Sequence, residues 1–504
     1  MGTGIKNRKK LIKECTELPY SQDGVLNEDT ICSTDSRLSE LYDEFGRADV
    51  LGALSGIWTF EKALLFFEQR GIKKHHRPIR TIATSYRKAC NGGVERVNAE
   101  LMKLWMEMGY KVILFTEFPE NELDYPYPSS VKRIVIPSTD KIDERLLYLE
   151  KHCKEEAVDT FINHISDDLN SLWEMVLMNL LEIPYIQYCN THFSWCIEGD
   201  YPYYHRPGFY KLCDLILALS ETDARFYQLC GCSTYQLNNP VPSDLRRNAV
   251  PASLDSGHVL MIGRLSWEKY PLEALQIIKL VYAKKPDVIF DIVGDGDMMD
   301  KARQFVRENN LESVVVFHGE KGCEETAQFY KKASCVLLTS RLEGYSMVIL
   351  EAKAYGVPVV MYELPYLSLV KDGKGIMASP AGNIKEMSEN IIRILEDEEY
   401  RKRLGKEARE SFEFFDGYDL QGNWDNIYKL LSGSYVENEP AYYDPSNVDN
   451  RDKYVMPVMF NRIIDANIKV KNRYENSRDY KLGMSILYLP RKIKSFLLKL
   501  IRVD

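Results

Sequence analysis

From residue 79 onward, short apolar runs alternate with longer amphipathic stretches. IRTIATSY (79–86) is a run short enough for a buried strand. NGGVERVNAELMKLWMEMGY (91–110) follows as a glycine-rich turn and an amphipathic helix, and KVILFT (111–116) is the next strand. RIVIPS, DTFINHIS, IPYIQYCNTH and DLILALS continue the series, with helical segments between several of them. Strands that are apolar throughout and separated by helices predict a parallel sheet covered on both faces.

The rhythm breaks at TYQLNNPVPSDLRR (234–247), where two prolines and two asparagines predict a linker. It restarts with HVLMIGR, VIFDIVGDG, VVVFHG, SCVLLTS, VPVVMYE and GIMASP. The pattern thus predicts an α/β protein with two Rossmann-like halves, residues 79–240 and 241–411, and a ligand cleft outside the carboxyl ends of the strands. Residues 1–78 form an N-terminal extension with a helix around TFEKALLFFEQRG. Residues 412–432 predict a helix that packs back on the first domain. Residues 433–504 form a C-terminal extension, irregular over 433–480 and closing in LPRKIKSFLLKLIRVD. In that last piece Leu489, Ile493, Phe496, Leu497, Leu500 and Ile501 share one helical face, with Lys492, Lys499 and Arg502 off it.

Composition narrows the class. A chain of 504 residues, 45% hydrophobic, exceeds one ordinary core and is not depleted in the manner of disordered chains. The net charge of −9 argues against general nucleic-acid binding. Both ends are nevertheless locally basic, KNRKKLIK and RKIKSFLLKLIR. The C-terminal helix is therefore expected to contact an anionic membrane surface, with packing against the protein as the alternative. Eleven cysteines occur without a CxxC pair, and Cys230-x-Cys232 has no second pair to complete a zinc site. Reduced thiols in a cytoplasmic protein, peripheral on the membrane's inner face at most, are the expectation. No secretion signal and no transmembrane-length apolar run are visible.

Several residues carry candidate chemistry. SRLEGYSMVILEAKAYGVPVV (340–360) holds Glu343 before Gly344, and Glu351 two turns on in an apolar helix. A carboxylate there needs a partner, because burying an unpaired charge is costly. Gly344 and the following amides, Tyr345 and Ser346, sit at a helix start where backbone N–H groups are unpaired. Arg264 leaves a strand directly and Lys269 is five residues on. His192 and His164 close strands, and Gly92–Gly93 and Gly294-Asp295-Gly296 follow strands. The plainer alternatives are a helix-start charge for Glu343, a paired core acid for Glu351, solvated cations, tight turns and strand-closing histidines.

GRLSWEK (263–269), DIVGDGD (291–297) and EGYSMVILE (343–351), with GGVERV (92–97) and NTH (190–192) ahead of them, resemble the family 4 (group 1) retaining glycosyltransferases of GT-B fold. The resemblance covers roughly 79–430. It implies that Glu343 lies beside the transferred sugar, that Glu351 binds ribose hydroxyls, and that Arg264 and Lys269 grip a diphosphate. It also implies that His192 lies near the sugar's C6 hydroxyl, Gly294 and Gly296 near the base, and Gly92 and Gly93 near a phosphate or acceptor. The donor implied is a nucleotide-diphosphate sugar, and the acceptor a glycan or lipid-linked molecule of cell-surface polysaccharide or glycoconjugate synthesis. Asp295-x-Asp297 resembles a metal-binding pair of a different architecture, so no metal and no other cofactor is expected. A sugar-nucleotide epimerase or a non-catalytic GT-B subunit are the other classes. The sugar, the base and the acceptor stay open.

Overall fold

The computed structural model describes residues 2–448, apart from 18–27, 71–75, 91, 140, 167, 169–170, 199–205 and 435–439. The C-terminal amphipathic helix expected from Leu489 to Ile501 lies outside the described residues. The first lobe holds β1 (Thr81–Ser85), β2 (Lys111–Thr116), β3 (Lys132–Val135), β4 (Thr160–Asn163), β5 (Tyr185–Cys189), β6 (Leu215–Ala218) and β7 (Thr234–Gln236). The second holds β8 (His258–Ile262), β9 (Ile289–Val293), β10 (Val315–Gly319), β11 (Ala333–Leu338), β12 (Val359–Tyr362) and β13 (Ile376–Ser379), and the chain then returns to the first sheet as β14 (Tyr442–Tyr443).

The sheet orders are β14-β7-β6-β5-β4-β1-β2-β3 and β10-β9-β8-β11-β12-β13. All pairings are parallel except β14 on β7. The apolar runs of β1, β4, β5 and β6 are buried along their whole length, as strands covered by helices on both sides must be. In each sheet the order reverses once, between β1 and β4 and between β8 and β11. Chains leaving adjacent strands there depart to opposite faces and open a crevice.

The extensions fold onto this frame. Helices Gly2–Thr16, Glu28–Phe45, Arg47–Ser55 and Phe60–Arg70 precede β1, so the extension holds three helices ahead of the one expected around TFEKALLFFEQRG. Leu38, Val50, Leu51, Leu54, Phe66 and Phe67 are buried in one cluster with Leu146, Leu149, Trp173 and Val176 of the first lobe. Phe67 meets Trp173 edge-on at 6.2 Å. Two stretches differ from the sequence expectation. The asparagine- and proline-rich stretch expected as linker contributes β7 and a short helix, Ser243–Asn248. Tyr442 and Tyr443, in a segment expected to be irregular, pair with Tyr235 and Thr234. In both places a neighbouring strand overrides weak local propensity.

The helix Leu420–Leu431 starts at Asp419, whose side chain accepts the Gly422 N–H at 2.9 Å. It lays Trp424 edge-on against Trp105 of the first lobe, centroids 5.0 Å apart, and Tyr428 against Tyr110 at 4.9 Å. Trp105 and Trp424 are fully buried, so this seam joins the chain's late helix to its first lobe. Trp424→Ala is expected to cost about 3–5 kcal/mol, the range for emptying a buried aromatic site. Denaturant unfolding followed by near-UV circular dichroism checks it.

Candidate functional site

The crevice between the lobes has a volume of about 570 Å³, within the usual range of small-molecule sites. Both lobes line it with the turns at the carboxyl ends of their strands. Of the residues singled out in the sequence, Gly92, Gly93, Arg264, Lys269, Gly294, Glu343, Gly344, Tyr345, Ser346 and Glu351 line it. His192 and Gly296 are not among the lining residues.

Arg264 follows β8 through Gly263, and Trp267–Lys269 forms a single 3₁₀ turn beyond it. Thr339, just past β11, donates its hydroxyl to the Lys269 carbonyl at 2.7 Å. The Lys269 ammonium then reaches the Glu343 carboxylate at 2.6 Å. A cation and an anion from the two strands flanking the sheet's reversal thus meet in the crevice. Glu343 is only 8% exposed. Its backbone N–H donates to the Tyr366 hydroxyl at 3.0 Å, and that hydroxyl donates back to the Glu343 carbonyl at 3.1 Å.

Gly344 is fixed by contact across the lobes. A Cβ built there would fall 1.9 Å from the Asn190 carbonyl oxygen after β5, so no larger residue allows the lobes to approach this closely. Ser346 caps the helix Met347–Ala354 in the left-handed region, φ 67°, a backbone state that non-glycine residues hold at a cost of order 1–3 kcal/mol. Its buried hydroxyl finds no hydrogen-bond partner among the described residues. Gly296 packs away from the crevice, its Cα against Leu265, where a Cβ would lie 2.3 Å from the Leu265 carbonyl oxygen. Asp295 lines the crevice, and its carboxylate accepts the Gly296 N–H at 2.7 Å.

Glu351 is occupied on both oxygens. One accepts the Tyr330 hydroxyl at 2.7 Å, and the other pairs with the Arg96 guanidinium of the first lobe. Arg96 also holds Asp244 of the inter-lobe helix through both carboxylate oxygens, at 2.9 and 2.8 Å. Burial opposes the arginine's charge, but Glu351 and Asp244 outweigh it and push its pKa up. Glu95 sits beside it with its carboxylate over Gly92, 2.1 Å from where a Cβ there would stand. Burial raises the Glu95 pKa, while Lys88 and Arg264 pull it back.

The sequence left Glu95 and Arg96 without a contact, and Tyr330, Tyr366 and Asp244 without a role. Arg96 carried a usable signal, a cation one turn into an apolar helix face behind a Gly-Gly turn. The tyrosines carried none, since a hydroxyl's partner is set by tertiary approach.

His192 directly follows the lining residues Asn190 and Thr191 and is buried. Its ring stacks on Tyr366 of the second lobe, centroids 3.8 Å apart, and its Nδ1 meets the Ser194 hydroxyl at 2.7 Å. Burial lowers its pKa to about 4, so it is neutral at pH 7. Through Tyr366 it supports the Glu343 backbone from the other lobe. His164 is 2% exposed, stacks on Tyr188 at 4.7 Å, and takes the Asn190 side-chain amide on Nδ1 at 3.3 Å.

With this geometry in place, residues 91–245 match the family model described as Glycosyltransferase Family 4, and residues 244–411 the one described as Glycosyl transferases group 1. An uncharacterized glycosyltransferase of Methanocaldococcus jannaschii is 34% identical over 128 residues, 25% of this chain and 36% of that one. The chain therefore spans about a third of that relative's length. The amylovoran biosynthesis glycosyltransferase AmsD of Erwinia amylovora is 22% identical over 67% of this chain and 96% of its own. Among solved structures, a mutant of S. aureus TarM in complex with fondaparinux, alpha-GlcNAc-glycerol and UDP has a TM-score of 0.59. It shares 12% identity over 70% of this chain and 100% of that one, a likeness of fold.

Two outcomes follow from the buried charges. Arg96→Met leaves the Glu351 carboxylate buried without its cation and is expected to destabilise by about 3–5 kcal/mol. Adding Glu351→Gln restores part of that loss, and a double-mutant cycle in urea measures the coupling. The second concerns pH. Burial pushes the His164 pKa from 6.5 to about 3, so between those values the unfolded chain binds more protons and stability falls as pH falls. His192 contributes the same sign down to about 4, while Asp223, raised to about 6 by burial, opposes it. His164→Gln should flatten the decline of melting temperature between pH 6.5 and 5, read by calorimetry.

Proposed function

The chain belongs to the group 1 glycosyltransferases with a family 4 first domain, and on that premise we propose that it moves a sugar from a nucleotide-diphosphate sugar to a glycan or lipid-linked acceptor with retention of anomeric configuration. The observation that carries the reading is the meeting of Lys269 with Glu343, beside Arg264, in the crevice where both sheets reverse their order. Polysaccharide or glycoconjugate synthesis is the setting favoured by the names of the relatives, amylovoran biosynthesis among them.

The chemistry follows from charge. As the bond from the anomeric carbon to the diphosphate oxygen breaks, negative charge grows on the leaving group and positive character on the sugar. Arg264 and Lys269 offset the first and Glu343 the second. Lys269, now on Glu343, would divide its hydrogen bonds between that carboxylate and the incoming diphosphate. The acceptor oxygen attacks from the face the diphosphate leaves. Its proton passes to the departing phosphate oxygen, so no protein nucleophile is required. With two fixed cations against the diphosphate, no metal is required for charge balance either.

A role for Glu351 at the ribose requires an exchange, because Arg96 and Tyr330 already hold its two oxygens. A ribose diol would replace or share the Arg96 contact, so donor binding and inter-lobe pairing draw on one carboxylate. The C-terminal amphipathic segment, outside the described residues, is proposed to hold the protein at an anionic membrane surface near a lipid-linked acceptor. Among the described residues, no helix is long and apolar enough to cross a membrane.

Thermal-shift titration with UDP, GDP and ADP and their glucose conjugates tests the donor site. One nucleotide series should raise the melting temperature, and Lys269→Ala should weaken its binding about tenfold or more. No shift with any series would favour the non-catalytic subunit. Glu343→Gln should lower kcat by about 10²–10³-fold with little change in nucleotide affinity. Proton NMR of the product should show the donor's anomeric configuration, and an inverted product sinks the front-face route.

A further inference from the structure

Trp267 is 56% exposed, an unusual setting for an indole beside a binding crevice. It opens the 3₁₀ turn that ends in Lys269, so its backbone is rigidly tied to a residue lining the crevice. Across the gap stands Trp195 of the first lobe, itself a lining residue. The two rings meet edge to face, centroids 5.4 Å apart at 71°. Trp195 is held by a turn in which its N–H donates to the His192 carbonyl at 3.2 Å. The two rings come from different lobes.

We propose that this tryptophan pair is the acceptor subsite, and that its occupant is a hexose ring of the acceptor stacked on the exposed indole. The proposal rests on the glycosyltransferase reading above. Position argues for the acceptor over the donor. The groups suited to the donor, Glu343, Ser346 and Glu351, are each under 9% exposed, whereas Trp267 stands largely in solvent at the crevice rim. An acceptor that approaches a crevice whose buried depth is taken up by the donor meets this rim. Chemistry argues for a sugar. A pyranose presents C–H bonds on its face and hydroxyls around its edge. An aromatic plane matches the face, and polar groups beside it match the edge. Glu268 and Lys269 follow Trp267 directly and line the crevice, and Glu268 is held by the Ser266 hydroxyl at 2.5 Å. Because the pair spans both lobes, the platform exists only when the lobes are together, which links acceptor recognition to the arrangement that assembles Lys269 on Glu343.

The remaining tryptophans make the test clean. Trp58, Trp105, Trp173 and Trp424 are at most 6% exposed, so collisional quenching of intrinsic fluorescence by acrylamide reads chiefly Trp267 and Trp195. The probes are methyl glucoside, methyl galactoside and methyl N-acetylglucosaminide, each to about 50 mM, where a millimolar contact is saturated, and decyl phosphate as a lipid-like probe. At least one glycoside should protect against quenching with the nucleotide bound, and Trp267→Ala should weaken that protection tenfold or more while leaving nucleotide affinity within twofold. Trp267→Phe should keep part of it. Protection by decyl phosphate alone, protection that survives Trp267→Ala, or no protection by any glycoside overturns the subsite. A nucleotide shift without glycoside protection removes this inference and leaves the proposed reaction standing. Absence of any nucleotide shift removes the reaction itself.

Discussion

Arg96 is the point on which the two lobes agree. Its guanidinium comes from the first lobe, Glu351 from the second and Asp244 from the helix between them. A guanidinium this deeply buried is tolerable only if its carboxylates arrive in the right geometry. One relative placement of the lobes provides that geometry, and the crevice between them is its by-product. Gly344 seated on the Asn190 carbonyl and Tyr366 stacked on His192 use the same placement. Charge pairing here does less to stabilise either lobe than to select how they face each other.

The site then reads as two linked halves. On one side, Lys269 and Glu343 are positioned by backbone anchors, Thr339 on the first and Tyr366 on the second. On the other, the two oxygens of Glu351 are already held by Arg96 and Tyr330. Glu351 both lines the crevice and pairs the lobes. A buried lysine supports the same helix from behind: Lys353 donates to Ser411 at 2.6 Å and pairs with Asp372 at 3.3 Å. Burial lowers its pKa, and Asp372 draws it back up.

Much of this was legible in the sequence because it lies in strand ends. Arg264, Gly294 and Glu343 fall just after apolar runs, and a parallel sheet delivers such positions to one edge whatever the detailed packing. Gly344 was legible as part of a helix start with unpaired amides, but its need to lack a side chain was not, since that comes from a backbone in the opposite lobe. His192 was expected at the ligand, and in the structure its ring stacks on Tyr366 next to the lining residue Thr191. Periodicity tells where a strand stops but not which way the following ring turns. Arg96 stood out locally as a cation in an apolar helix face, but its two partners lie 148 and 255 residues away and no local pattern names them. Of the four N-terminal helices, the one over Phe60–Arg70 was expected, and the three before it were missed for the opposite reason. Their propensity is mediocre, and the core they share with Trp173 supplies what local preference does not.

The two-residue strand β14 does more than close a list of secondary structure. It lies along the outer edge of β7, where Gln236 donates its N–H to the Ala441 carbonyl at 2.7 Å and Arg225 rests over the Tyr443 ring at 4.8 Å. A bare parallel edge is a template for pairing with another molecule. By seating Tyr442 and Tyr443 there in reverse direction, the chain covers that border of its first sheet with its own backbone.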